Sequence, residues 1–342
     1  MEAAEQVSVP RDMGGGASRR LRERLIEAAL ALAAGSSVFV LLGIFGVLLV
    51  NGVQAFGTGD GVSLANLSAD ERAMLSEAEL AELGRHTEHV PSVGADFLFS
   101  SHWNPTSSVT AAYGVLGMVV STLIVTLLAI AIAAPVGVGV AAWLAYVAPP
   151  RAREILKPIL EMLAAIPSVV VGFIGIVFVG PLIARVFGLG NGLNALNGAV
   201  LLAVMALPTI ISISEDAIRA VPKDYVQASL ALGADRWQTL VRVVLPAGAS
   251  GILAAVMLGM GRAIGETMTV LMATGNAVAM PGSIFDSVRT LTATIAIELG
   301  EVPQGSRHYH LLFAVGLVLF VMTFVVNLVS DMVLRRGAPR PS

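Results

Sequence analysis

Residues 222–246 read Pro222-Lys-Asp-Tyr-Val-Gln-Ala-Ser-Leu-Ala-Leu-Gly233-Ala-Asp-Arg-Trp-Gln-Thr-Leu-Val-Arg-Val-Val-Leu-Pro246. The pattern is helix, glycine, helix. Pro222 has the fixed φ that suits a helix start, and Gly233 takes the left-handed conformation that ends one. Asp235 then caps a second helix, with Gln238 three residues on. Leu230, Leu232, Trp237 and Leu240 are apolar side chains on a segment that also carries Lys223, Arg236 and Arg242. They need burial, either at a membrane interface or against a protein partner.

On both sides of this segment the chain turns apolar. Of its 342 residues 56% are hydrophobic and only 13% are charged, against roughly 25% charged in soluble domains. A soluble protein this apolar could not cover its own surface, so the composition argues for a multi-span membrane protein. Its helix-length apolar stretches give the fold class as all-α integral membrane. The net charge of −3 gives no basic excess that would suggest nucleic acid. Cysteine is absent, which removes disulfides, thiolate metal sites and cysteine nucleophiles together. The only lysines are Lys157 and Lys223, and neither sits in GxxxxGK[ST]. This chain therefore holds no nucleotide in a P-loop, and any energy from ATP would have to arrive through a partner. No HExxH, GxSxG or paired soluble carboxylates occur, so no catalytic function is expected.

A spanning helix needs about 20 mostly apolar residues. Six stretches qualify, at roughly 25–50, 113–147, 158–185, 196–214, 247–273 and 311–333. The first follows Arg19, Arg20, Arg22 and Arg24; its apolar run is about twice a signal-peptide core, which predicts a retained helix. Six spans put both termini on one side. With the N-terminus inside, fifteen Arg and Lys fall inside and four outside (Arg72, Arg85, Arg289 and Arg307). That bias places both termini in the cytoplasm. The organisation expected is a tail at 1–24, a first helix at 25–50, an extracytoplasmic insertion at 51–112, a five-helix core at 113–335 and a tail at 336–342.

Prolines punctuate the spans. The second stretch exceeds the length of one crossing, and Pro135 with Gly137 and Gly139 supplies a kink. The third carries Pro158, Pro167 and Pro181. Broken helices in a membrane line a cavity rather than face lipid. In the insertion, Ser68-Ala-Asp-Glu71 and Ser76-Glu-Ala-Glu79 each read as a capping box opening a short helix.

The spacing of Gln227-Ala228-Ser229, Gly233, Val243 and Leu245-Pro246 resembles the EAA loop of ABC-importer permeases. Gln227 stands for the usual Glu and Ser229 for the second Ala, which touches a charged contact and leaves the helix–turn–helix shape. Leu163-Ala-Ala-Ile-Pro-Ser-Val-Val-Val-Gly172-Phe-Ile-Gly175, Arg262-Ala-Ile-Gly-Glu-Thr267 and Gly300-Glu-Val-Pro-Gln-Gly-Ser306 narrow the resemblance to the C-type permease subunits of phosphate-specific importers, over about 110–335. The resemblance implies the type I permease fold in the inner membrane and a coupling loop at 215–246. It places Gln227, Ala228, Ser229, Gly233, Asp235, Trp237, Leu245 and Pro246 against an ATPase. Its implied partners are a homologous second permease, two ATPase subunits that carry ATP and Mg, and an extracytoplasmic phosphate-binding protein. No cofactor would be bound by this chain.

Arg262 and Glu266 interrupt a stretch otherwise uncharged from Val243 to Phe285. A charge at the bilayer centre costs at least about 2.5–3.5 kcal/mol on insertion scales. On a continuous helix their i, i+4 spacing puts both on one face. Two readings are open: an ion pair that staples this helix to a neighbour, or an anion site on a translocation path. Arginine offers a permanently charged, bidentate fork matched to phosphate oxygens, and the resemblance favours the second reading. Thr267, which closes the same motif, and Ser168, after Pro167, are placed with them. Ser168 either donates to an oxyanion in a helix break or satisfies freed backbone.

Gly251, Ala255 and Gly259 recur every four residues, as do Gly261 and Gly265. Small residues at this spacing permit close helix approach, either in the subunit's own core or at a seam with a second permease. His86 and His89 flank Glu88 without a further ligand nearby, a weak metal pattern. His308 and His310 read as solvent-side loop residues. The expected function is import of inorganic phosphate. The rivals are another oxyanion, such as molybdate or sulfate, a secondary transporter with its own coupling-ion site, and a non-transport scaffold.

Overall fold

The computed structural model describes residues 16–56, 94, 96–105 and 112–337. The expected helices after Ser68 and Ser76, and His86, Glu88 and His89, lie outside the described residues. The chain divides into two units, Met1–Val50 and Asn51–Ser342. Most of α1 (Gly16–Gln54) belongs to the first, and its portion Arg24–Gln54 is long and apolar enough to cross a membrane.

The second unit opens with a short helix, α2 (Asp96–Phe99), and a two-stranded antiparallel ribbon, β1 (Trp103–Asn104) against β2 (Ala112–Tyr113). α3 (Leu116–Ala142) follows and runs through Pro135 without interruption. The expected disturbance appears later, as a π turn over Trp143–Val147. α4 (Pro150–Ala164), α5 (Ser168–Ile174), a π turn at Gly175–Val179 and α6 (Gly180–Phe187) come next. α7 (Ala195–Arg219) leads to α8 (Lys223–Ala231), α9 (Arg236–Thr239), a π turn at Leu240–Val244 and α10 (Leu245–Ala247). The remaining helices are α11 (Ala249–Ile264), α12 (Met268–Ala273), α13 (Leu291–Glu298) and α14 (Arg307–Gly337).

Two stretches depart from single crossings. Residues 158–185 do not form one helix. α4 carries Arg151, Arg153, Glu154, Lys157 and Glu161 and buries none of its residues fully. Pro167 has no N–H to continue the ladder, and the apolar crossing stretch starts after it, at Ser168–Phe187. Residues 247–273 are broken twice. The chain bends by 69° between Arg236–Ala247 and Ala249–Ile264, then leaves helical structure at 265–267 before α12. Among the described residues five helices are long and apolar enough to span, or six when the bent pair counts as one.

The core is a chain of apolar clusters strung along α3. At its start Met118 packs with Phe97, Trp103, Leu291 and Leu311. In its middle Val125, Ala129 and Ala133 meet Ala195, Ala199, Ala203, Ala206 and Ile210 of α7. At its end Ala141, Ala142 and Leu144 meet Ile211, Ile218, Leu240 and Val244. Alanine every fourth residue on both helices lets α3 and α7 approach closely.

The small-residue stripe of α11 points into this same core. A Cβ on Gly251 would collide with Ala217, and one on Gly259 would lie 2.8 Å from Ile210 Cγ1. Both glycines are spent on packing against α7 within the subunit. Gly259→Val should therefore cost about 1–3 kcal/mol through overpacking, read as a lower midpoint of thermal unfolding of the purified protein. Gly139→Ala, where nothing lies within 4 Å of the new Cβ, should leave the midpoint in place.

Candidate translocation site and coupling loop

α11 ends at Gly265, whose N–H closes the last i→i−4 bond to Gly261 O at 3.3 Å, while the Glu266 N–H reaches only three residues back, to Ala263 O at 3.4 Å. Glu266 thus falls beyond the helix end, and the expected shared face with Arg262 does not exist. Glu266 Oε1 instead lies 3.5 Å from the N–H of Thr269, in the first turn of α12. Arg262 sits in the last turn of α11 with an exposed side chain. No ion pair joins the two, and no hydrogen bond or salt bridge holds the Arg262 guanidinium among the described residues. The staple between them is not formed.

The short helices that follow the breaks at 165–167 and 265–267 lie against each other. Thr269 Oγ1 donates to the carbonyl of Ser168 at 3.1 Å, so Ser168 contributes its backbone to this contact. Thr292 Oγ1 donates to the carbonyl of Glu266 at 3.0 Å. Thr267 Oγ1 lies 3.5 Å from Gly265 O, within its own turn. Glycine lets α5 and α12 come together, since a Cβ on Gly172 would stand 2.9 Å from Met272 Sδ and 3.3 Å from Met268 O.

One residue outside the expected set ties these pieces down. Asn197, fully buried on α7, donates from Nδ2 to Gly175 O at 3.2 Å and to Ala273 O at 3.1 Å. It joins the end of α5 to the end of α12 through one amide. Its signal in the sequence was faint: an asparagine inside an apolar run, where an unpaired amide is costly.

The loop follows its sequence closely. α8 ends toward Gly233 at φ +83°, and Asp235 caps α9. Gln238 N–H donates to Asp235 Oδ1 at 2.7 Å, and Asp235 N–H donates to Gln238 Oε1 at 3.3 Å. Ser229 and Thr239 share a hydroxyl hydrogen bond of 3.0 Å, which pins α8 to α9. Leu240 and Val244 turn inward, with Leu245 and Val226 packed beside them. Leu232 and Trp237 turn outward, 89% and 71% exposed, as do Gln227, Ala228 and Pro246. Of the four apolar side chains that needed burial, Leu240 finds it in this chain, while Leu230, Leu232 and Trp237 do not.

Two carboxylate clusters were not foreseen. Glu215, near the end of α7, faces Arg153, Lys157 and Arg219. Glu298, which ends α13, accepts from Trp103 Nε1 at 3.0 and 3.1 Å and pairs with Arg289 Nη1 at 2.9 Å and His308 Nε2 at 2.8 Å. The second cluster borders a cavity of about 550 Å³. His308 and His310 are therefore not loop residues: both lie half-buried in the first turns of α14. For Glu215 the signal was available. In a six-span count the basic residues at 151–157 and the acidic pair Glu215-Asp216 share one side.

The chain belongs to the family of binding-protein-dependent transport system inner membrane components, whose model matches residues 137–341. Its fold is that of the type I ABC-importer permeases: 65% of the chain aligns with 95% of an inward-facing MetNI methionine ABC transporter chain (TM-score 0.52, 19% identity). A chain of a bacterial alginate ABC transporter, in complex with an alginate-bound periplasmic protein, aligns over 77% of this chain and 89% of its own (TM-score 0.53, 16% identity). Within that family it is of the PstC type. It is 35% identical to the phosphate transport system permease protein PstC of Mesorhizobium japonicum, covering 71% of this chain and 79% of that one. It is also 36% identical to PstC 1 of Mycobacterium tuberculosis, over 71% and 82%, and 44% identical to the probable ABC transporter permease YqgH of Bacillus subtilis, over 67% and 74%.

The Asn197 amide makes one claim about this site checkable at once. Asn197→Leu leaves the Ala273 carbonyl without this donor, at about 1–3 kcal/mol, and takes one of two donors from Gly175 O, which keeps the Gly180 N–H. The expected result is a clearly lowered unfolding midpoint of the purified protein, and a midpoint equal to the parent's would contradict the assignment.

Proposed function

We propose that this chain is one of two permease subunits through which an ABC importer moves inorganic phosphate into the cell. The observation that carries the reading is Arg262. It is a permanent cation with no partner among the described residues, just ahead of the helix break at 265–267, in a stretch otherwise uncharged but for Glu266. An unneutralised charge inside a membrane marks a substrate path by default. Phosphate brings one to two negative charges, and a guanidinium meets its oxygens in bidentate fashion. Glu266 keeps a negative charge close by, which limits how tightly an anion is held. Ser168 and Thr267 stand at the two breaks and complete the proposed path. The PstC names of the relatives point to the same anion.

The loop at 222–246 is the proposed contact with the ATPase. Leu232 and Trp237 are the side chains it offers, with Gln227 and Ala228 beside them. Gly233 and the Asp235 cap hold the turn, Ser229 locks it, and Leu245-Pro246 joins it to the bend before α11. ATP and Mg belong to the two ATPase subunits, and this chain binds no cofactor. A second, homologous permease and an extracytoplasmic phosphate-binding protein complete the importer. Both termini are cytoplasmic, as the basic residues distribute.

Arg262→Gln should abolish phosphate uptake by whole cells while the complex still assembles and can be purified; uptake at the parent's rate would sink the anion role. Gly233→Val forces a β-branched residue into a left-handed φ. The expected result is a protein that inserts normally but takes up no phosphate on ATP hydrolysis. Sulfate and molybdate uptake, measured in the same cells, should be unaffected by either change.

A further inference from the structure

Glu215 is 1% exposed and has no part in the proposed anion path. Three cations surround its carboxylate. Arg153 Nε lies 2.6 Å from Oε1, as an ion pair without the alignment of a hydrogen bond. Lys157 Nζ lies 3.6 Å from Oε2, and Arg219 Nη1 lies 3.4 Å from Oε1. Lys157 also reaches Asp216 Oδ1 at 3.6 Å. Arg153 and Lys157 stand one turn apart on α4, so the carboxylate grips that helix at two successive turns.

A buried carboxylate is an expensive way to join two helices. Apolar side chains of similar volume hold as well or better, and what charge adds is register. Here the register set is between α4 and the base of the loop, because α7 ends at Arg219 and α8 begins at Lys223. Leu156 and Leu160 of α4 enter the same apolar cluster as Val226, Leu240 and Val244 of the loop. At its other end α4 leads across 165–167 to Ser168, whose carbonyl takes the Thr269 hydroxyl across the break. A continuous line of contacts thus runs from the loop through Glu215 and α4 to the break.

We propose that Glu215 is a positioning residue for transport: its grip on Arg153 and Lys157 makes α4 move with the loop, so that the loop's displacement reaches the break at Ser168. The inference rests on the reading of residues 222–246 as the ATPase contact and deepens it.

The chain contains no cysteine, so Ser168→Cys introduces its single thiol without removing the backbone carbonyl that Thr269 uses. The assembled importer carrying S168C is reconstituted in proteoliposomes. Labelling by a water-soluble maleimide is timed before and after trapping with ATP and vanadate, and ATP hydrolysis is measured on the same vesicles. Trapping should change the labelling rate severalfold in this parent. With Glu215→Gln added, or Arg153→Met with Lys157→Met, the rate should not respond to trapping while hydrolysis stays within twofold. Glu215→Asp should restore the response. Variants that respond like the parent overturn the role of Glu215 and leave the loop reading standing, and loss of hydrolysis together with the response makes Glu215 merely structural. A parent that does not respond overturns the loop reading itself.

Discussion

A helix opened inside a membrane exposes carbonyl and N–H groups where no bulk water can reach them. That constraint governs the centre of this protein. The chain breaks at 265–267, between α11 and α12, and turns at 165–167 just ahead of the crossing stretch, and side chains of neighbouring helices take up backbone groups in and after each. Thr269 serves the carbonyl of Ser168, Thr292 serves that of Glu266, and the Asn197 amide serves Gly175 and Ala273 at once. Gly172 lets the short helices after the two breaks lie against each other. The result is hydrogen-bonded backbone, part of it close in sequence to the Arg262 guanidinium, which has no partner among the described residues.

The ends of the bundle are organised differently from its middle. The middle is apolar and rich in alanine, with Val125, Leu202, Ile210, Val270 and Val288 filling the space between. The ends hold one buried or half-buried carboxylate each, Glu215 and Glu298, surrounded by donors from elements far apart in sequence. Glu298 gathers the β1 ribbon, the segment before α13 and the start of α14. Glu215 gathers α4 and the foot of the loop. Close packing transmits displacement because it leaves no room to absorb it, and in our proposal it is Glu215 that makes α4 share the displacement of the loop.

Much of this was legible in the sequence where the deciding interactions are local. The Asp235–Gln238 capping box, the left-handed Gly233 and the apolar runs all depend on residues within a few positions of one another. Ser229, which departs from the usual alanine, gains a hydroxyl partner in Thr239 that only the folded loop reveals. The shared face of Arg262 and Glu266 failed because it presumed an unbroken helix, although Gly265 sits between them and Thr267 follows. Pro135 shows the converse: a proline read as a break sits inside α3, since a spanning helix tolerates the loss of one N–H. Asn197 escaped notice because its partners lie 22 and 76 residues away; for Glu215 the helical spacing shows Arg219, four residues on, but not Arg153 and Lys157 on another helix.

The central claim is that this chain passes phosphate by mechanical work received from a nucleotide-hydrolysing neighbour. It is tested most directly in proteoliposomes, by comparing the purified chain alone under an imposed ion gradient with the complete importer supplied with ATP. The account predicts phosphate accumulation only in the complete, ATP-supplied vesicles. Accumulation by the isolated chain on an ion gradient would contradict it.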